Sequence, residues 1–230
     1  MSTKTGIAWT DHTFNGWWGC QKVAQGCANC YAEVHAGRFY GRKIWGPAAT
    51  TERRIMGDAN WRVPLLWDKA SRESFELTGR RHRVFAMSMA DALEDHPALV
   101  EPRKRFVWLI ENTPFLDWQI LTKRAERILP NLPDDWGPDG YPNVWLGVSI
   151  SEAKWVWLAD ELRKVPAVVR FISYEPALGP LAEHLDLAGI DWVIYGGESG
   201  PGFRGHDLAW PRAMREACAK SGTAFFYKQS

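Results

Sequence analysis

The sequence predicts an α/β protein built as a full or partial TIM-like (β/α) barrel with parallel strands. Short apolar runs rich in strand-forming residues recur from residue 83 onward, and the distance between successive runs leaves room for one helix. The runs are continuously apolar, as expected for parallel strands covered on both faces. Polar clusters follow nearly every run, and a barrel brings all carboxyl-terminal strand ends to one face. An open doubly wound sheet is the alternative, but it gathers such ends only near its switch point.

The individual elements are predicted from these runs and from the segments between them. Strands are expected at residues 13–17, 84–87, 117–121, 144–148, 168–172, 192–195 and 224–227. Apolar residues recur at helical spacing in residues 97–112, 152–164 and 207–220, which predicts three helices. The sequence predicts one domain over residues 1–230. Within it, residues 41–82 fit the repeat poorly, and we expect them to form a lid or an irregular insertion.

The composition argues against a generally basic nucleic-acid-binding protein. The chain carries 28 Lys and Arg residues against 27 Asp and Glu residues, so it has no overall positive field. No apolar run is long enough to cross a bilayer and the N-terminus lacks a signal-peptide pattern, so we expect a cytoplasmic protein with no membrane partner. In a reducing compartment, clustered cysteines indicate metal or redox chemistry rather than disulfides.

Three of the four cysteines, Cys20, Cys27 and Cys30, form a C-x6-C-x2-C pattern directly after the first predicted strand. Three thiolates leave one position of a tetrahedral metal, or one iron of a [4Fe–4S] cluster, without a protein sulfur. The position of this loop at a strand end favours an iron–sulfur cluster. A zinc site completed by His12 or His35, and plain thiols, are the alternatives. Cys218 stands apart and is interpreted as a buried helix residue.

Polar residues that follow the predicted strands are the other candidates for the site. The catalytic candidates are the charged residues Asp91, Lys123, Glu175 and Glu198. The candidates for cofactor contacts are Tyr31, Ser88, Arg124, Ser149, Gly196, Gly197 and Ser199. Glycines in the run 196–200 allow a ligand to approach the backbone closely. Lys228, at the end of the last strand, is expected either to reach inward or to lie in solvent.

In its cysteine loop and in the residues that follow its predicted strands, the chain resembles a phage and bacterial three-cysteine family of unknown function, usually described as phage protein. The matching segments are residues 9–11, 19–32, 85–93, 121–124, 143–149, 170–176, 190–201 and 225–229. A barrel whose first strand leads into a three-cysteine loop is also distantly similar to the radical S-adenosylmethionine (SAM) superfamily.

The resemblance implies that Cys20, Cys27 and Cys30 bind a [4Fe–4S] cluster whose fourth iron binds SAM. It implies an iron–sulfur enzyme with an electron donor as partner and a small-molecule or nucleotide substrate, including one derived from nucleic acid. Two other hypotheses remain open at this point. One is a zinc-stabilised nucleic-acid-binding module without catalysis, and the other is an iron–sulfur hydrolase or lyase that does not use SAM.

Overall fold

The fold is built on a parallel β-sheet of seven strands. The computed structural model describes residues 5–41, 43–200 and 202–229. In chain order the strands are β1 (His12–Phe14), β2 (Trp17–Trp18), β3 (Arg54–Ile55), β4 (His82–Ala86), β5 (Leu116–Thr122), β6 (Val144–Ser149), β7 (Val169–Tyr174), β8 (Trp192–Gly196) and β9 (Ala224–Gln229). The sheet has the order β1-β4-β5-β6-β7-β8-β9, while β2 and β3 form a separate antiparallel pair. Because the order is open at β1 and β9 in the described residues, the barrel is partial.

Five α-helices accompany the strands in the described part of the chain. They are α1 (Tyr31–Tyr40), α2 (Asp58–Thr78), α3 (Val100–Glu111), α4 (Trp157–Arg163) and α5 (Ala209–Ser221). Glycines in the left-handed conformation end α2 and α5: Gly79 has φ 69° and Gly222 has φ 76°. Within the described residues, no helix combines the length and the apolar composition that crossing a bilayer requires.

The predicted strands and helices are confirmed to within a few residues, and so is the parallel α/β fold class. The largest difference lies in residues 41–82. There, α2 is a regular helix of 21 residues, so the segment is helical from Asp58 onward rather than irregular. Pro64 lies inside this helix, and proline in a helix interior is a signal that normally indicates a break. The predicted lid role of residues 41–82 stays a prediction.

The chain divides into two compact units, of which the first comprises the described residues of Met1–Gln21, Ala32–Ile120 and Tyr141–Trp145. Its core is aromatic. Phe14 on β1 lies with its ring 5.3 Å from Trp61 of α2 and 5.7 Å from Trp118 of β5, and Phe106 of α3 lies 5.3 Å from Trp118. These four side chains are buried, so they pack α2 and α3 onto the strands.

The second unit comprises the described residues of Lys22–Tyr31, Leu121–Gly140 and Leu146–Ser230. Strands β7, β8 and β9 pair in parallel register, with Phe171 opposite Trp192 and Trp192 opposite Ala224. Tyr195 on β8 packs edge-on against Tyr174 at 5.0 Å and stacks on Tyr227 at 5.7 Å. Burial raises the pKa of the Tyr174 and Tyr195 hydroxyls, so both are neutral at physiological pH.

Gln119 on β5 is a buried polar residue whose two amide atoms have no hydrogen-bond partner among the described residues. A buried amide without partners costs about 1–3 kcal/mol relative to an apolar group of the same shape. We therefore expect Gln119→Met to raise the free energy of unfolding by about 1–3 kcal/mol, or Tm by about 2–4 °C for each kcal/mol. Thermal unfolding followed by circular dichroism measures the change.

Asn143 provides the matched control for Gln119. Its buried amide donates to the carbonyl oxygens of Ile110 at 3.1 Å and of Thr113 at 3.2 Å. Asn143→Leu should therefore lower Tm, because it removes two buried hydrogen bonds. A fall in Tm for Gln119→Met as well would contradict the prediction and would mean that the native protein satisfies the Gln119 amide.

Candidate functional site

The cysteine segment, residues 19–30, begins in the first unit at a sharply turned glycine. Gly19 has φ 110°, and its amide donates to the Met89 carbonyl oxygen at 3.1 Å. Cys20 then forms an isolated bridge with Trp45, in which Gly46 N–H donates to the Cys20 carbonyl oxygen at 3.1 Å. The backbone around the first cysteine is therefore fixed on both sides, while its side chain is half-buried.

The rest of the cysteine segment lies in the second unit. Residues Gln25–Cys27 form a 3-10 turn, and Cys27 N–H donates to the Ala24 carbonyl oxygen at 2.9 Å. Cys30 directly precedes α1, whose first residue Tyr31 is half-exposed. Neither Cys27 nor Cys30 is in a disulfide, and the same is true of Cys20. The segment thus presents three thiols rather than a cross-link.

The histidines considered as zinc ligands, His12 and His35, pack against aromatic rings. Among the described residues, no three His, Cys, Asp or Glu side chains converge closely enough to hold a metal ion. His12 stacks on Trp67 at 4.4 Å, and its Nε2 atom lies 3.2 Å from Nδ1 of His82. His35 packs against Trp18 at 5.7 Å. The assignment of Cys20, Cys27 and Cys30 as ligands thus depends on donor chemistry and chain spacing, and three thiols fit an iron–sulfur cluster.

Cys218 differs from the three clustered cysteines in its surroundings. It lies on α5 and is fully buried, and burial raises the pKa of its thiol to about 11. A thiol in that state neither ligates metal nor reacts as a nucleophile at neutral pH. This agrees with its interpretation as a packing residue.

Gly26 packs the cysteine segment against the loop that follows β6. A methyl group on its Cα would overlap Ser151 Oγ and would lie 3.3 Å from Pro176 Cδ. Because Gly26 is buried and precedes Cys27, an added methyl group requires the Ser151 side chain or the backbone of the segment to move. If the cysteine segment binds metal, as the sequence predicts, Gly26→Ala should lower metal content about tenfold or more, which inductively coupled plasma analysis of anaerobically purified protein measures.

Gly37 is the matched control for Gly26. It lies within α1, about ten residues away, and an added methyl group there meets no atom within 4 Å. Gly37→Ala should keep full metal content and raise stability by about 0.5–1 kcal/mol, since alanine favours a helix interior. Full metal content in Gly26→Ala would show that the segment accommodates the methyl group and would contradict the prediction.

Glu198, which follows β8, is buried and paired with Arg204. Arg204 Nε donates to Oε2 at 2.9 Å, Arg204 N–H donates to the same oxygen at 2.8 Å, and Nη2 donates to Oε1. Asn29 Nδ2 also donates to Oε2, at 2.9 Å. The hydrogen bonds from Arg204 lower the pKa of Glu198 to about 2, so this carboxylate stays ionised from neutral pH down to that value. Such a group is suited to hold its neighbours in place rather than to transfer protons near neutral pH.

Glu175 lies in the second unit in contact with Ser149, Gly196 and Lys228. Lys228 Nζ lies 2.5 Å from Glu175 Oε1, and Ser149 Oγ donates to the Glu175 carbonyl oxygen at 2.9 Å. A methyl group on Gly196 would lie 3.0 Å from Glu175 Cδ, so the absence of a side chain there makes room for the carboxylate. The structure thus confirms that Lys228 reaches a strand-end carboxylate, one of the two alternatives stated for it.

Two further candidates lie in the first unit. Ser88 Oγ accepts a hydrogen bond from Asn15 Nδ2 at 3.0 Å, and the Asn15 side-chain oxygen accepts one from Met89 N–H at 2.8 Å. Asp91 is buried, and its Oδ1 accepts from Leu93 N–H at 3.0 Å. These contacts order the turn after β4, so Asp91 has a structural function there whether or not it also contacts a ligand.

The remaining candidates follow β5 and β8. Arg124 is buried, Lys123 is half-buried, and Arg124 N–H donates to Thr122 Oγ1 at 2.9 Å. Gly197 N–H donates to the Gln229 carbonyl oxygen at 3.1 Å, and Ser199 is exposed. The sequence analysis did not single out Arg53, Glu94, Asn29 or Arg204. The partners of Arg53, Glu94 and Asn29 are distant in the chain, whereas Arg204 lies six residues from Glu198, outside any motif that the sequence analysis used.

The comparison with protein families decides the membership of the chain. The model of the family described as "Protein of unknown function (DUF5131)" matches residues 4–230. The chain belongs to this family. The match covers nearly the whole sequence and confirms the predicted resemblance to a family of unknown function. No curated protein matches the sequence of this DUF5131 member.

Solved structures of spore photoproduct lyase share the fold of this DUF5131 protein. A cysteine-to-alanine variant with dinucleoside spore photoproduct superposes with a TM-score of 0.58 at 12% identity, over 98% of this chain and 79% of that chain. A second structure of a cysteine-to-alanine variant of this lyase gives a TM-score of 0.58 at 13% identity over the same shares of the two chains. A tyrosine-to-phenylalanine variant gives 0.55 at 10% identity over 97% of this chain and 78% of that chain. These matches show that the chain shares its fold with that lyase.

Proposed function

We propose that this protein is an iron–sulfur enzyme of the radical SAM type with a [4Fe–4S] cluster on Cys20, Cys27 and Cys30. The observation that carries the proposal is a three-thiol segment placed after the first strand of a parallel sheet whose fold matches spore photoproduct lyase. The thiols are half-buried, and none is in a disulfide. The match in fold and the odd number of thiolates support a cluster with one iron open to a second ligand.

A reduced cluster of this kind, when bound, supplies the electron that cleaves SAM. The protein's own residues would bind and orient the reactants and exclude water. The Glu175 carboxylate and the Lys228 ammonium form one charged pair near Ser149, which suits the polar groups of a cofactor or substrate. Lys123 and Arg124 follow β5 and offer positive charge for a phosphate or carboxylate. An electron donor is required as a partner.

The substrate proposed is a nucleotide or a nucleic-acid-derived compound. Spore photoproduct lyase with dinucleoside spore photoproduct supports this class, because that protein has the same fold and its ligand is a dinucleoside. The pair of cations at Lys123 and Arg124 is consistent with an anionic substrate. The overall charge of the chain, close to neutral, favours one local contact region over a broad nucleic-acid surface.

The proposal is tested by purifying the protein anaerobically and measuring its iron, sulfide and zinc content and its cleavage of SAM. A brown protein with about four iron atoms and about four sulfides per chain is expected, together with 5′-deoxyadenosine after reduction in the presence of SAM. Colourless protein with stoichiometric zinc would overturn the cluster and support a zinc-stabilised module instead. A cluster that forms without cleaving SAM would overturn the radical SAM assignment and support an iron–sulfur hydrolase or lyase.

A further inference from the structure

We infer that two Glu–Arg pairs, Arg53–Glu94 and Arg204–Glu198, are positioning devices, and that each fixes the chain at one end of the cysteine segment. We call them the anchoring pairs. The inference rests on the proposed function, since it concerns how the three thiols are held. Arg53–Glu94 lies in the first unit and Arg204–Glu198 in the second. In each pair, the carboxylate accepts a hydrogen bond from a residue of the cysteine segment.

The pair Arg53–Glu94 holds the first end of the segment. Its side chains are 0% and 2% exposed, and Arg53 Nε and Nη2 donate to the two Glu94 oxygens at 2.8 and 2.7 Å. Glu94 Oε1 also accepts from Gln21 N–H at 2.8 Å, directly after Cys20. Arg53 Nη2 donates to the Gly46 carbonyl oxygen at 2.9 Å, and Gly46 N–H is the group that donates to the Cys20 carbonyl oxygen.

The pair Arg204–Glu198 holds the second end. Glu198 Oε2 accepts from the Asn29 side chain, directly before Cys30, and Arg204 Nη2 donates to the Gln25 carbonyl oxygen at 3.3 Å. Cys27 lies between these two contact points in the chain. The Glu198 side chain is 3% exposed and that of Arg204 is 31% exposed, so the acidic partner is buried while the basic partner reaches solvent.

The two pairs differ from surface ion pairs because their carboxylates are buried and accept further hydrogen bonds. Burying two charges costs desolvation energy that is recovered only when the remaining lone pairs and protons are hydrogen-bonded as well. In both pairs, the carboxylate also accepts a hydrogen bond from a residue adjacent to a cysteine: Gln21 next to Cys20, and Asn29 next to Cys30. A carboxylate that accepts a charge-assisted fork from arginine is also fixed in orientation. The result is a rigid backbone at both ends of a segment that otherwise consists of short turns.

Residue-resolved alkylation of the metal-free protein tests the inference independently of any cluster. Under chelator and reductant, Glu198→Gln and Arg204→Met are expected to raise the alkylation rates of Cys27 and Cys30 about tenfold and to leave Cys20 unchanged. Glu94→Gln is expected to raise the rate of Cys20 by a similar factor and to leave Cys30 unchanged. Mass spectrometry of the peptides reports each cysteine separately, and circular dichroism checks that each variant is folded.

Arg81→Met is the matched control for Arg204→Met. Arg81 is 29% exposed in its side chain and pairs with Asp117 at 3.4 Å, but its pair does not touch the cysteine segment. In the Arg81→Met variant, every cysteine should be alkylated at the wild-type rate. Arg204→Lys keeps the charge without the fork, so partial rescue of the wild-type rates is expected.

Two outcomes would overturn the inference. One is wild-type alkylation of all three cysteines in folded Glu198→Gln and Glu94→Gln variants. The other is a uniform increase at every cysteine, Cys218 included, which indicates general loosening. In reconstituted protein, the Glu198→Gln variant should also show an altered electron paramagnetic resonance signal of the reduced cluster. If wild-type protein binds no iron, the proposed function fails, whereas the alkylation pattern still decides on the anchoring pairs.

Discussion

Cys27→Ala is expected to abolish loading of the proposed cluster and to leave the protein folded. The side chain is half-buried in a 3-10 turn, so its loss removes a ligand without opening a large cavity, and we expect a cost of less than about 1 kcal/mol in the metal-free protein. Iron should fall from about four atoms per chain to nearly none, since two remaining thiolates do not hold a [4Fe–4S] cluster. Iron and sulfide analysis with visible absorption measures the loss.

Cys218→Ala is the matched control for the loss of a sulfur. Its thiol is fully buried on α5 and is protonated at neutral pH, so this variant should keep the wild-type iron content and lose some stability. Complete unfolding of the Cys27→Ala variant would contradict the prediction and would favour a structural metal. Full iron loading of that variant would remove Cys27 from the ligand set.

Gly19→Ala is expected to have the largest effect on stability. Gly19 has φ 110°, a conformation that residues with a side chain rarely adopt, and an added methyl group would overlap the Ile44 carbonyl oxygen and lie 2.9 Å from Arg53 Cδ. The backbone strain and the overlap together should cost about 2–5 kcal/mol. Because Gly19 precedes Cys20, the displaced backbone should also reduce metal content. Chemical denaturation of the metal-free protein measures the cost in stability.

Gly189→Ala separates the two causes of this effect. Gly189 also has a positive φ, 68°, but an added methyl group there meets no atom within 4 Å. This variant should cost only about 1 kcal/mol, from backbone strain alone. Equal costs for Gly19→Ala and Gly189→Ala would show that the overlap with Ile44 relaxes freely, which would contradict the packing described around Cys20.

Much of the fold was predictable because its signals are local. Each strand from β4 to β9 is an apolar run with a boundary visible in the sequence, and Gly222 marks the end of α5. The helix α2 was missed because Pro64 interrupts its pattern and because Trp61, Pro64 and Ser71 are its buried residues, a set with little hydrophobic periodicity. Packing of Trp61 against Phe14 stabilises this helix, and such packing has no local signal.

The candidate site was predictable only in part, for the same reason. The cysteine spacing is visible in the chain, and so are the polar groups at strand ends. The partners of those groups are not, because Lys228 lies 53 residues from Glu175, its ion-pair partner. Glu198 illustrates the consequence. A glycine-rich setting suggested contact with a ligand, whereas the structure shows that its carboxylate is occupied by Arg204 and Asn29.

The sequence by itself determined the parallel α/β class, the order of the strands in the seven-stranded sheet and of α3, α4 and α5, and the presence of three clustered thiols. Only the tertiary structure decided how that segment is held, because its supporting hydrogen bonds join residues far apart in the chain: Gln21 and Glu94 are 73 residues apart, and Asn29 and Glu198 are 169 apart. Hydrophobic periodicity and motif spacing depend only on residues that are close together in the sequence. Contacts of this range exist only once burial and hydrogen bonding have brought distant elements into place.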